Sequence, residues 1–409
     1  MSRPASRFTN NSVLLFMLMA FSGSASAQDF AWESRTPMPA ARWGSGTFVT
    51  NGLAFVVGGR SNGIDYPQMW AYDPIANSWQ QMADFPGTPR RLATVFAANG
   101  KGYYGLGINS TSNYLSDFWE YDPIANSWTQ RASFPAGPRY NTWQFVLNGI
   151  GYVGNGINTV ASGPFLSDAY MYNPATNMWT SATPIPDQGR HGSIGFAMNG
   201  KGYVVCGREN SLTFVQDIWA FDPGSSSWSA MASFPGAGRS SPLAFVYYND
   251  AVVGCGRDAS INHYDAWLYR PTTNSWSSIP PYPGYTAMAG ASFSIGNRAF
   301  GGLGWDLSTD LSHADLWELV KPGNVSVEEN KITSLVWAQP NPADDDGFLL
   351  SSGLASTMQV EVFTADGRFI DQWGQLGAKH IRTDRLAAGC YLIKWQGGGE
   401  HGSIKLMVP

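Results

Sequence analysis

Five arginines recur at one place in this chain. Arg42, Arg90, Arg139, Arg190 and Arg239 each stand six residues before a phenylalanine, namely Phe48, Phe96, Phe145, Phe196 and Phe245. A guanidinium is a planar fork of donors that matches a carboxylate or another multidentate anion. A second column is a glycine, repeated as Gly59, Gly107, Gly156, Gly207, Gly256 and Gly304. The residue after it is Arg60, Ile108, Ile157, Arg208, Arg257 or Trp305. If both columns share one face, eight arginines surround one opening. Such a ring focuses positive potential even in an acidic protein. Trp43, Tyr140, Trp143 and Trp305 stand nearby and offer flat surfaces for stacking on sugars. The chemistry expected is recognition of an acidic or polyhydroxylated ligand. A residue repeated in five of six units also suits a scaffold device, its guanidinium bonding loop carbonyls of the next unit. The unrepeated Arg60, Arg208 and Arg257 are therefore the better ligand candidates.

Catalytic groups are sparse. The chain has five histidines and no short metal-ligand spacing, so neither a metal nor a cofactor is expected. It carries no Gly-x-Ser-x-Gly element and no phosphate loop. His191 and Glu209 are the general acid/base candidates on the arginine face. The aspartates Asp117, Asp168, Asp217, Asp265 and Asp315 form a further column, read as structural groups at a strand start.

The elements that position these residues follow from a tryptophan clock. Trp32, Trp79, Trp128, Trp179, Trp228 and Trp276 are separated by 47, 49, 51, 49 and 48 residues. A period of 40–50 in a β-rich chain points to propeller blades of four strands. Each unit carries a hairpin signal: Asn51-Gly52, Asn99-Gly100, Asn148-Gly149, Asn199-Gly200, Asn249-Asp250 and Gly296-Asn297. Each of the first five tryptophan-to-tryptophan units also has an aromatic-x-Pro turn, such as Tyr72-Asp73-Pro74 or Phe221-Asp222-Pro223. The expected fold is all-β: a six-bladed propeller closed when strand 29–34 pairs with strand 314–320, plus a small C-terminal β-sandwich. Alternating strand polarity places the variable d–a and b–c loops on one face, with the arginines. The short turns lie on the other.

The spaced tryptophans, the Tyr-Asp-Pro turns and the strand-b glycines resemble the kelch family of β-propellers over about residues 29–320. The family's double glycine is intact only as Gly58-Gly59; Leu106, Asn155, Cys206, Cys255 and Leu303 replace its first member elsewhere. Six-bladed bacterial kelch proteins that act on sialic acid resemble this chain in blade count and signal peptide. That resemblance implies an alternative function, a sugar epimerase or mutarotase, with Glu209 and His191 as its acid/base groups.

Charged residues are only 13% of the 409, and the net charge is −5, which argues against a nucleic-acid binder. Residues 1–27 read as a signal peptide: Arg3 and Arg7, an apolar run too short to span a bilayer, then Ala25-Ser26-Ala27. No transmembrane segment is expected in the mature chain. Cys206 and Cys255 occupy one column of neighbouring blades and are read as buried thiols. The domains are expected at 28–320 (propeller), 321–334 (linker) and 335–409. The last resembles the type A C-terminal sorting domain of the type IX secretion system of Bacteroidota. Pro340-Asn341-Pro342, Val360–Phe363 leading to Asp366-Gly367-Arg368, Tyr391 and the terminal Lys405–Val408 carry the likeness. It implies passage to the medium or the outer-membrane surface, with the secretion machinery as one partner and an extracellular glycan or protein as the other.

Overall fold

The computed structural model describes residues 30–158, 164–284, 288–306 and 308–321, and the strands between 336 and 408. The expected signal peptide, Ala287 (which stands six residues before Phe293, where the other repeats have arginine), the Asp366-Gly367 turn and all of the expected linker but Lys321 lie outside these residues. Two compact units divide after Gly323.

The first unit is a six-bladed propeller in which every blade is a four-stranded antiparallel sheet. Blade 2 runs Thr94–Ala98, Lys101–Gly105, Phe118–Asp122 and Ser127–Arg131 as strands a to d. Blade 4 runs Ile194–Met198, Lys201–Val205, Ile218–Asp222 and Ser227–Ala230. Blade 6 takes Ala291–Ile295, Arg298–Asp306 and Leu311–Val320 from the end of the unit. Its fourth strand is Ala31–Arg35 from the beginning, paired from Ala31 opposite Val320 to Arg35 opposite Leu316. The N-terminal strand thus covers Leu311–Val320 and completes the last blade to four strands, like the other five.

The hairpin turns carry Asn-Gly in blades 1 to 4, each residue at positive φ, as at Asn99 (52°) and Gly100 (78°). Blade 5 departs from the expected position. Tyr247 pairs with Asp250, so the turn is Tyr248-Asn249 rather than Asn249-Asp250, and Tyr248 adopts φ 56°.

Three circuits of hydrogen bonds sew the blades together. The outermost uses the clock tryptophans, which are half-buried. Each indole Nε1 donates to a carbonyl after strand d of the preceding blade: Trp79 to Thr36, Trp128 to Ala83, Trp179 to Ala132, Trp228 to Thr183, Trp276 to Ala232 and Trp32 to Pro280. The Pro turn assists. Asn126 Oδ1 accepts from both Tyr121 Oη (2.7 Å) and the Ala83 amide of the preceding blade (2.9 Å). Blade 4 lacks both groups together, having Phe221 and Ser226. In the second circuit the strand-b glycine amide donates to the carbonyl of the next arginine, as Gly107 does to Arg139 (2.8 Å).

The innermost circuit is closed. Gly44, Leu92, Asn141, Gly192, Ser241 and Ala289 all lie at positive φ, between 49° and 65°. Leu92 N donates to Gly44 O, Asn141 to Leu92, Gly192 to Asn141, Ser241 to Gly192, Ala289 to Ser241 and Gly44 to Ala289, at 2.6–3.3 Å. Six backbone amides therefore encircle the axis.

The second unit contains two antiparallel sheets. One joins Val336–Asp344, Gly347–Ser352 and Lys379–Ile381; the other joins Met358–Thr364, Phe369–Leu376, Gly389–Gly397 and Glu400–Val408.

Ring closure by Ala31–Arg35 joins strand pairing, core packing and an ion pair at one place. Phe30 packs in a core with Tyr247, Leu268 and Leu319, and Arg35 pairs with the buried Glu318 at 2.6 Å. Deleting residues 28–35 is expected to lower the thermal midpoint by about 10 °C or more, read by calorimetry.

Candidate functional site

The residue after each column arginine pairs with the residue after each strand-b glycine. Short antiparallel bridges join Trp43 to Arg60, Arg91 to Ile108, Tyr140 to Ile157, Ser240 to Arg257 and Met288 to Trp305. In blade 4 the bridge is a two-residue ladder, Arg190 opposite Glu209 and His191 opposite Arg208. These pairs hold the d–a and b–c loops on one face, as strand polarity requires. Side chains alternate along a ladder. His191 and Arg208 therefore share one side, and Arg190 and Glu209 the other.

The column arginines lie on the blade side, and this corrects the rim of eight. Arg42, Arg90, Arg139, Arg190 and Arg239 are at most 3% exposed. Arg90 is typical. Its Nη1 and Nη2 grip Asp117 at 2.6 and 2.7 Å, Nη1 also donates to Leu106 O, and the guanidinium lies 4.9 Å from the Phe85 ring. Asp117 Oδ2 accepts the Trp119 indole as well, at 2.8 Å. Arg139 grips Asp168, Arg190 grips Asp217, and Arg239 grips Asp265 in the same way. The scaffold role is real, but the partners belong to the arginine's own blade. The exceptions follow the same chemistry. Blade 1 has Gln68 in place of the aspartate, and Arg42 donates to its side chain at 2.8 Å. Blade 6 turns Tyr282 Oη onto Asp315 at 3.1 Å.

Of the remaining arginines, Arg60 and Arg91 converge on Asp65, which is 6% exposed, at 3.8 and 3.1 Å. Arg91 was not singled out in the sequence; it also lies 5.5 Å from the Trp43 ring. Arg208 and Arg257 differ. Their Nε atoms donate to Leu212 O and Asp258 O. Among the described residues no carboxylate lies within ion-pair distance of either, and their Nη groups make no hydrogen bond.

Both line a cavity of about 260 Å³ over the innermost amide circuit. Leu92, Asn141, Ser241 and Ala289 of that circuit line it, with His191, Ser240, Trp43, Met288 and Phe214 around them. Arg208 lies 5.3 Å from the Phe214 ring. Trp43 stacks on Trp305 at 5.8 Å, and Trp305 donates to Asp310. Tyr140 stacks on Tyr114 at 5.4 Å. Of the expected stacking residues only Trp43 reaches the cavity. Trp143 is 1% exposed and packs on Phe145 and Trp228, which removes it from the ligand face.

The two acid/base candidates do not meet. Glu209 accepts from the buried Arg190 Nη2 at 3.2 Å, on the side away from the cavity. Burial raises its pKa, against the pull of Arg190. His191 lines the cavity, with Nδ1 3.0 Å from Asn141 Nδ2 and its ring edge-on to Phe165. Burial and the Arg208 charge push its pKa down to about 4, so it is neutral at pH 7. The thiols Cys206 and Cys255 are unbonded and buried.

Comparison with known proteins agrees with this architecture. Residues 42–86, one blade's worth, match the kelch motif. The solved structure of YjhT superposes with a TM-score of 0.62, covering 71% of this chain and 98% of that one at 18% identity. The chain shares the propeller fold and carries a kelch motif. No curated protein matches it.

Two outcomes are expected. Replacing Arg90 by Met leaves Asp117 without its partner and costs about 3 kcal/mol by denaturant unfolding. Asp117 and Asp265 feel burial first, but arginine and indole hydrogen bonds outweigh it and lower both pKa values. Their folded values lie below the unfolded ones, so that stability is present above about pH 4 and is lost as pH falls through the depressed values. The second outcome is an NMR titration of His191 with a midpoint near 4. Replacing Arg208 by Ala moves that midpoint upward, because a like charge is removed.

Proposed function

We propose that the propeller is a binding module that takes an acidic ligand, a glycan or protein carboxylate, on its d–a/b–c loop face. The supporting observation is a pair of cavity-lining arginines, Arg208 and Arg257, on neighbouring blades and without a carboxylate partner among the described residues. Asn141, Ser240 and Ser241 line the same cavity, and Trp43 gives it an apolar face. Guanidinium groups with spare donors suit a carboxylate, while hydroxyls and an aromatic face suit the body of a sugar. The five column arginines add no recognition, because their donors are used inside the blades.

The same reading has the chain exported, cleaved before Gln28, and directed by residues 335–409, folded as a β-sandwich, through the type IX machinery to the medium or the cell surface. The mutarotase reading needs a proton donor and acceptor that share the cavity. Glu209 faces Arg190 instead, and His191 Nε2 is buried without a hydrogen-bond partner among the described residues.

Binding to an array of acidic glycans and acidic peptides tests the proposal. Wild type is expected to retain a subset. Arg208→Ala/Arg257→Ala is expected to lose that subset by about 100-fold, with its melting midpoint little changed. Equal binding by the double variant removes the anion site. Sialic acid anomers followed by NMR are expected to interconvert at the uncatalysed rate.

A further inference from the structure

The opposite face holds a second cavity, about 340 Å³, against blade 4. Its meaning comes from comparing the blades with one another at one register position in strand c. In blade 2 that position is Glu120, opposite Tyr103. Glu120 is 5% exposed and fully engaged: Lys101 Nζ and Tyr103 Oη each donate at 2.8 Å, and Arg131 Nη2 at 2.7 Å. In blade 6 the position is Glu318, opposite Phe300, held by Arg298 and Arg35. Two blades thus bury a carboxylate here within a cage of donors. Blades 1, 3 and 5 have Ala71, Met171 and Leu268, with Leu53, Ile150 and Asp250 where blade 2 has Lys101.

Blade 4 is mixed. Tyr203 and Lys201 stand where Tyr103 and Lys101 stand. The residue opposite Tyr203 is Ala220, and Met231 stands where Arg131 does. The carboxylate is missing, but two of its donors remain. Tyr203 is 3% exposed, and its hydroxyl makes no hydrogen bond to the described residues. Lys201 Nζ has only Asp222, at 3.4 Å. Both residues line the cavity, so an acceptor entering it meets a hydroxyl and an ammonium that have no acceptor in the position Glu120 fills in blade 2. The space vacated by the glutamate side chain is part of the cavity, and the Pro271 turn of the next blade walls it. Ser227 and Ser229 of strand d add hydroxyls along one side.

We propose that the blade-4 cavity binds a small carboxylic acid, whose carboxylate lies between Lys201 Nζ and Tyr203 Oη as that of Glu120 lies in blade 2. The site is independent of the axial mouth. The volume admits a ligand larger than the missing side chain, and the serines favour one that carries hydroxyls.

Two methionines make the test local. Met231 lines this cavity and Met288 lines the mouth. The full chain is labelled at its methionine methyls and titrated with sodium acetate against sodium chloride at equal ionic strength. Acetate supplies the methylene-carboxylate by which Glu exceeds Ala. The Met231 methyl is expected to shift saturably with a Kd of about 10 mM. Lys201→Ala weakens this by about tenfold or more. Ala220→Glu abolishes it, because the side chain then fills the cage itself. Arg208→Ala/Arg257→Ala leaves the Met231 response unchanged, whatever Met288 does. A Met231 signal that stays still up to about 100 mM acetate, that moves equally with chloride, or that moves equally in Ala220→Glu overturns the proposal.

Discussion

A propeller has to close on itself, and here the closing constraint is a circle of six backbone amides around the axis. Each member adopts the left-handed region, which β-branched side chains resist, and the side chains present there are unbranched at Cβ: Gly44, Leu92, Asn141, Gly192, Ser241 and Ala289. Left-handed backbone turns each N–H toward the preceding blade and each C=O toward the next. The position after the arginine is then free to pair with the residue following the strand-b glycine. That glycine has its own reason. At Gly207 φ is 113°, and a Cβ would collide with Ser193 Oγ. The rim is thus over-determined by backbone, and its side chains are free to vary.

That freedom divides the arginines into two populations. Those in the repeated column staple strand a to the start of strand c, through a carboxylate in four blades and Gln68 in blade 1; in blades 2, 4 and 5 the carboxylate also takes an indole. Because the staple is buried, it suits guanidinium, whose fork satisfies an aspartate and a carbonyl at once. Three follow the strand-b glycines and sit on the paired loops. Arg60 shares Asp65 with Arg91, so one carboxylate serves two guanidiniums. Arg208 and Arg257, from blades 4 and 5, keep their terminal donors. The electrostatic character of the mouth is therefore lopsided rather than annular.

The repeat, the turns, the closure and the face were legible because each rests on local chemistry: Asn-Gly at positive φ, Pro after an aromatic, a tryptophan at a steady interval. The burial of Arg90 was not, because Asp117 lies 27 residues away and only the blade brings them together. A signal did exist. The arginine and the aspartate travel together in blades 2 to 5, and where blade 1 lacks the aspartate or blade 6 the arginine, Gln68 or Tyr282 makes the bond instead. The amide circle left no trace in residue type, since its members share a backbone angle and little else. Likewise the blade-5 turn slips by one residue because Tyr248 accepts the left-handed conformation expected of Asn249. The vacancy in blade 4 is readable only once Ala220 and Glu120 are known to occupy the same register.

The sense of the amide circle has an electrical consequence. All six N–H···O=C bonds run the same way round, from each blade to the one before it. Their dipoles follow one another about the axis and cancel in sum, unlike the aligned dipoles at the end of a helix. The floor beneath the mouth therefore prefers neither sign of charge. Whatever selectivity the opening shows is written entirely in replaceable side chains, so exchanging a few of them would re-address the propeller without disturbing what holds it shut.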